Sequence, residues 1–241
     1  MKQGSFKVLV VLGRSGSGKG TQVKLLQKKY KGLYHIESGA LLRELSRQKN
    51  SLGQKVRRTI NKGELVPYSF VAYLWAKELI RVFSQGKRWR GIVFEGSPRK
   101  LIEAKMMDQA IHFIFGVLPT AIHVKVPRRE AVRRLLKRVV CGSCKTPVPY
   151  QWLGKNIRVC PGCGGKLARR TDDTPGAIRE RMEFFARNVV PSIRYYQKDK
   201  RLVTINGAQS AERVFQELWR KLNAQHFLDV PYGNPQNKKR H

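Results

Sequence analysis

FKVLVVLGRSGSGKGTQVKLLQKKY, residues 6–30, decides the fold. The run from Phe6 to Leu12 is apolar and of strand length, and so predicts a strand buried on both faces. Gly13-Arg14-Ser15-Gly16-Ser17-Gly18-Lys19-Gly20-Thr21-Gln22 follows, and Val23, Leu25, Leu26 and Tyr30 continue at helical spacing. Strand, glycine-rich turn and helix in this order are the setting of a phosphate-binding loop. Glycine lets backbone N–H groups turn inward, and the helix presents its positive end to the same point. Lys19 can then reach the outer phosphates of a nucleoside triphosphate, so Gly16, Ser17, Gly18, Lys19, Gly20 and Thr21 are the candidate triphosphate residues. The usual pattern has Ser or Thr directly after the lysine; here Gly20 intervenes and Thr21 comes second.

Beyond this unit, strands alternate with helices. Leu33–Glu37, Gly91–Glu95, Thr120–Val126 and Leu202–Ile205 read as further short strands. Helices are expected over about 40–50, with Ser38 as N-cap, over 52–61 up to Gly63, and over a long stretch from Pro67. Others are expected over 101–115, as one long run over 174–198, and over 208–223. Short apolar strands separated by helices predict an α/β fold: a parallel five-stranded sheet flanked by helices. Ligands of such sheets lie at the carboxyl ends of the strands, where the glycine-rich loop and Glu95-Gly96-Ser97-Pro98-Arg99 both fall.

All four cysteines fall within one stretch, as Cys141-x2-Cys144 and Cys160-x2-Cys163. Two such knuckles read as a four-thiolate, structural zinc site; iron at the thiolates and a pair of disulfides are the alternatives. A hairpin without a large core of its own needs such a staple.

The chain has 49 basic and 16 acidic residues, a net charge of +33. That surface attracts polyanions such as RNA in a salt-dependent way, or is a solvated coat with no dedicated partner. Residues 229–241 lack periodicity and read as a flexible basic tail ending in Lys238-Lys239-Arg240. No run approaches a membrane span or a signal peptide, so no membrane partner and a cytoplasmic location with reduced thiols are expected.

The GKGTQ loop, the Ser38-Gly39 and Glu-Gly-Ser-Pro-Arg stretches and the four-cysteine insert resemble the adenylate kinase family over about residues 6–224. The resemblance implies reversible phosphoryl transfer from MgATP to a nucleoside monophosphate, most simply ATP + AMP giving two ADP, by a monomer. It implies a core of 1–36, 67–126 and 172–228, a helical monophosphate-binding insert of 37–66 and a zinc-ribbon lid of 127–171. It puts Ser38, Gly39, Arg43, Val66, Gly96, Arg99 and Glu103 at the monophosphate. Arg134, Arg138, Arg170 and Arg181 become the arginines that clamp the phosphates, with Arg134 also over the triphosphate's base. Guanidinium suits this role because its planar fork matches phosphate oxygens. In this reading Arg134 and Arg138 lie i, i+4 on one helix face. Lys19, Arg99 and those four arginines form the catalytic set, and Thr21, Glu95, Asp172 and Asp173 the magnesium network.

The departures from the family's pattern matter. Ser15 replaces a proline, Glu95 an aspartate, Ser97 a phenylalanine, and Ala40 and Tyr68 two more aspartates. Slower turnover or weaker metal binding follows from the lost acids. Glu103 stands where the family has Gln. An ionised carboxylate only accepts hydrogen bonds, so it suits the two adjacent donors of guanine or the amine of cytosine. Against that, Glu103 could face solvent or read only adenine's amine. A nucleic-acid- or ribosome-associated P-loop protein with weak kinase activity is the reading from another class.

Overall fold

The computed structural model describes residues 6–62, 64–144, 147–148, 159–170 and 173–224. Gly63, Asp172 and the tail from 225 onward, including Lys238–Arg240, lie outside the described residues.

The first strand, β1 (Lys7–Leu12), is buried over nearly its whole length and sits mid-sheet. It pairs in parallel with β3 (Gly91–Glu95) on one side and β4 (Thr120–Lys125) on the other. Outside these lie β2 (Leu33–Glu37), paired with β3, and β8 (Leu202–Asn206), paired with β4. All pairings are parallel, and the order is β2-β3-β1-β4-β8. Alternate residues of β1 feed two cores, because successive strand side chains point to opposite faces. Val8, Val10 and Leu12 pack under α4 (Tyr68–Ser84), α5 (Leu101–Phe115) and α8 (Val190–Lys198). Leu9 and Val11 pack under α1 (Lys19–Lys29) and α9 (Ala211–Ala224). The predicted α/β class with its five-stranded parallel sheet is what the chain adopts.

Two excursions leave this sheet. After β2, α2 (Ser38–Arg47) and α3 (Ser51–Asn61) pack on each other. Asn50 caps α3, its side chain accepting from Gly53 N at 2.8 Å. After β4 and α6 (Arg128–Leu136), a small antiparallel sheet forms from β5 (Val139–Cys141), β6 (Pro147–Val148) and β7 (Leu167–Arg169), in order β6-β5-β7. The chain rejoins the core through α7 (Pro175–Phe184), capped by Thr174. No helix among the described residues is long and apolar enough to cross a membrane.

Four expectations need correction. Ser38 is the first residue of α2, not its side-chain cap: its hydroxyl is spent on Ser97, 2.6 Å away. Pro67 precedes α4 rather than opening it. The last helix starts at Ala211, because residues 207–210 form a turn in which Asn206 Oδ1 accepts from Ala208 N. The run over 174–198 is not one regular helix: a π-helical turn, Phe185–Val189, separates α7 from α8. Pro191 is the cause, since it lacks the N–H that would bond the carbonyl of Arg187, four residues back in that turn.

Candidate active site

The glycine-rich loop leaves β1 at Gly13 and enters α1 at Lys19. Gly16 and Gly18 have φ of 81° and 93°, a left-handed conformation that other residues adopt at a cost. Lys19 curls back over the loop, and its Nζ donates to the carbonyls of Gly13 and Arg14, both at 2.9 Å. Burial lowers the Lys19 pKa to about 8; Glu95 opposes that shift, and the positive charges of Arg99 and Arg138 add to it. Ser17 is buried inside the loop, and its hydroxyl has no partner among the described residues. Thr21 is exposed on the first turn of α1.

Glu95 ends β3 beside this loop. A Cβ at Gly20 would lie 2.9 Å from Glu95 Oε1, so the carboxylate fills the space that a Ser or Thr after Lys19 would need. The unusual glycine of the motif is thus matched to its neighbour. Glu95 Oε2 lies 3.2 Å from His35 Nε2, on β2. Burial works against the charge of Glu95, but His35, Lys19 and Lys24 outweigh it and hold its pKa below the usual value.

Past Glu95, the chain turns at Gly96 and passes a cis peptide between Ser97 and Pro98. Arg99 folds over this turn, Nε donating to the Gly96 carbonyl at 2.7 Å. Burial lowers its pKa, with Glu103 opposing and Arg181 and Arg43 adding to the shift, so these three cations share one region. Glu103 does not face solvent: it is 1% exposed, and its Oε2 accepts the backbone N–H of Arg99 at 2.6 Å. Its Oε1 is buried with no partner among the described residues. On α2, Arg43 Nη2 lies 2.6 Å from Glu37 Oε1. Val66 packs partly buried against the core, while Ala40 is exposed on α2.

The third group surrounds the small sheet. Arg134 Nε bonds Glu130 Oε1 at 2.7 Å, one turn back on α6. Arg138 does not share that helix face, because α6 ends at Leu136 and the chain swings out so that Val139 and Val140 can pair in β5. Arg138 instead grips Asp173 with two bonds, of 2.7 and 2.6 Å. Arg181 Nη1 bonds Asp173 Oδ1 at 2.8 Å. The Asp173 side chain, 5% exposed, therefore has both oxygens engaged by arginines. Arg170 precedes this turn, its carbonyl accepting from Asp173 N at 3.2 Å.

At the far end of the small sheet, the sulfurs of Cys141, Cys144, Cys160 and Cys163 all lie within 4.8 Å of one another. The sulfurs of Cys141 and Cys163 stand 3.4 Å apart and those of Cys144 and Cys160 3.7 Å, beyond the ~2 Å of a disulfide, and none of these four described cysteines is in a disulfide. Thiolates ~2.3 Å from one tetrahedral ion stand about 3.8 Å apart. Backbone N–H groups of Ser143 and Cys144 donate to Cys141 Sγ, at 3.3 and 3.4 Å. The donor set and its spacing fit a structural zinc ion.

The sequence profile of the adenylate kinase family matches residues 11–201. The chain belongs to the adenylate kinase family. It is 33% identical over 211 residues to the adenylate kinase of Archaeoglobus fulgidus, a match covering 87% of this chain and 95% of the relative. Against the Petrotoga mobilis adenylate kinase the identity is 32% over 217 residues, covering 90% and 97%. Against that of Dehalococcoides mccartyi it is 34% over 206 residues, covering 86% and 93%. The protein is thus a nucleoside monophosphate kinase, an enzyme of phosphoryl transfer among nucleotides.

Within this adenylate kinase framework, several partners escaped sequence reasoning. Arg14 lies over the ring of Phe185, 4.6 Å from its centroid, and His123 stacks on the same ring at 6.4 Å. Burial, with Lys125, Arg14 and Lys19 nearby, lowers the His123 pKa to about 4, so this imidazole is neutral at pH 7. Phe185 begins the π-helical turn, which no helical periodicity reveals. Glu130 lies four residues before its partner Arg134 on α6, and that spacing was the available signal; Glu37 ends β2 six residues before Arg43, and no helical spacing marks that pair.

Proposed function

We propose that this kinase transfers the γ-phosphoryl group of MgATP to AMP, forming two molecules of ADP. The observation that carries the reading is the convergence of Lys19, Arg99 and Arg138, close enough to shift the Lys19 pKa, where the loops after β1 and β3 meet the base of the small sheet. An acceptor phosphate oxygen forms a bond to the γ-phosphorus, the bond from that phosphorus to the β–γ bridging oxygen breaks, and ADP leaves with that oxygen. The protein's task in such a step is to position two anions and offset their charge.

In this proposal the N–H groups of Gly16, Ser17, Gly18 and Gly20, with Lys19 and Thr21, hold the triphosphate. Arg134 and Arg138 cover it. Ser38, Gly39, Arg43, Val66, Gly96 and Arg99 hold the acceptor, and Arg170 and Arg181 span both. Glu95, ionised and beside Lys19, with Thr21 and the acidic pair Asp172 and Asp173, would hold magnesium, which neutralises phosphate charge when bound. Asp173 enters that network only by loosening its grip on Arg138 and Arg181. The four cysteines hold zinc, and helices 37–66 and the insert 127–171 close over the substrates to exclude water.

A second reading concerns the acceptor base. The buried Oε1 of Glu103, without a partner among the described residues, suits a base that presents an N–H, which guanine does at its ring N1 and amine, and cytosine and adenine do at their amines. The capping bond from Arg99 N occupies Oε2, which removes the two-point contact with guanine and leaves a single amine, of cytosine or of adenine, as the simplest partner. The deciding experiment offers AMP, GMP, CMP and UMP separately to the zinc-loaded enzyme with MgATP. ADP formation with AMP alone supports the first reading, and a ranking that changes in Glu103→Gln supports the second. Absence of turnover with every acceptor refutes both and leaves the basic surface as the guide to function.

A further inference from the structure

Glu37 closes β2 and occupies the cap position of α2, directly before Ser38-Gly39. Its Oε1 is 2.6 Å from Arg43 Nη2 and only 3.4 Å from the point where a Cβ on Gly39 would stand. Arg43 Nη1 lies 3.0 Å from that same point. Arg43 therefore bends back over the first turn of its own helix, where its guanidinium pairs with the Glu37 carboxylate. A guanidinium beside a helix start attracts anions.

The arginines of this region are matched in the same manner. Glu103 stands beside Arg99, Asp173 bonds Arg181, and Glu37 bonds Arg43. The three carboxylates differ in how readily they can be exchanged. Glu103 is 1% exposed and Asp173 5%, but Glu37 and Arg43 are 36% and 42% exposed. Water already screens the Glu37–Arg43 pair, and swinging Glu37 into solvent exposes no new buried charge.

We propose that Glu37 is a positioning residue that competes with the acceptor's phosphate for Arg43, and so sets the KM for the nucleoside monophosphate. The inference rests on the proposed placement of Arg43 in the acceptor site. Glu37 holds Arg43 folded over the helix start, and a phosphate that takes Arg43 has to displace it. The acceptor loses part of its affinity to the intramolecular anion.

The test uses the full chain, zinc-loaded, with the monophosphate that turns over in the wild type. In Glu37→Gln the KM for that acceptor should fall about two- to five-fold, the size such half-exposed ion pairs usually carry, with kcat little changed. The inhibition constant of the corresponding nucleoside, which lacks the phosphate, should not move. Glu37→Ser serves as a second variant if the first lowers the melting temperature. An unchanged or raised KM overturns the inference, because Glu37 then only orients Arg43. Parallel shifts for nucleoside and nucleotide also overturn it, since they mark a general change in the pocket. If the wild type uses no monophosphate at all, the kinase reading itself has failed and the inference falls with it. Turnover in the wild type with no KM change isolates the failure to Glu37.

Discussion

Replacing Gly20 by alanine puts a methyl group 2.9 Å from Glu95 Oε1, too close for that oxygen to stay, and 3.2 Å from Oε2, a tight contact. The carboxylate sits at the end of a flexible side chain, so it moves rather than the backbone. Moving it off its rotamer costs about 0.5–1.5 kcal/mol, and Ala in place of Gly in a helix returns up to ~1 kcal/mol. Stability should thus stay within ~1 kcal/mol of the wild type. Function should not: a displaced Glu95 leaves His35 and Lys19, and with them the proposed magnesium position. We expect kcat to fall about tenfold or more, roughly 1.4 kcal/mol or above in barrier, and the magnesium dependence to shift to higher concentration. Glu95→Asp in the same chain shortens the side chain by one methylene, ~1.5 Å, which clears the collision. The double variant should therefore recover activity relative to Gly20→Ala alone. Thermal melts and steady-state rates across a magnesium titration measure both quantities. Full activity in Gly20→Ala, or no recovery in the double variant, would refute the matching of Gly20 to Glu95.

Other expectations follow from the same geometry. Lys19, with its pKa near 8, is charged below that pH and meets a triphosphate directly; above it, binding must take up a proton. ATP affinity measured by calorimetry should be flat from pH 6.5 to about 7.5 and then fall, by up to about tenfold per unit, as pH rises past 8. Asp173→Ala leaves Arg138 and Arg181 without their shared carboxylate and should cost about 1–3 kcal/mol in chemical denaturation, less than a fully buried pair because both arginines are about a fifth exposed. Cys160→Ser should abolish stoichiometric zinc in elemental analysis and increase proteolysis between 127 and 171, with the far-ultraviolet signal of the main sheet and its helices largely kept.

Much of the architecture could be read from β1 outward. Its apolar run has no solvent-facing side, which only a mid-sheet strand allows, and the glycines fix where the chain must turn. Helix α5 was legible end to end because its apolar spacing is regular and Gly116 stops it with a φ of 68°. The cysteine cluster was legible because thiolate spacing is itself the geometry. What escaped depended on contacts between distant segments. Ser38 has the chemistry of a cap, but Ser97, far along the chain, competes for its hydroxyl. Arg138 sits at helical spacing from Arg134, yet β5 pairs with β7 and pulls the chain out of α6 two residues too early. Pro191 was visible, but where the helix would widen to accommodate it, and that Phe185 would thereby meet Arg14, was not. Glu103 shows both sides: its charge was plain from the sequence, whereas the division of labour between its two oxygens needed the position of the Arg99 N–H.

The bond between Arg138 and Asp173 joins residues 35 apart, at the two points where the cysteine-bearing excursion leaves and re-enters the core. To the rest of the chain, that excursion is a closed loop whatever happens inside it. The entropy of closing a loop grows only with the logarithm of its length, so doubling or halving the excursion would change the core's stability by about 0.6 kcal/mol. The same roots could therefore carry a shorter hairpin or a larger module, and the cysteine-bearing part of this protein is free to be exchanged without the sheet having to be rebuilt.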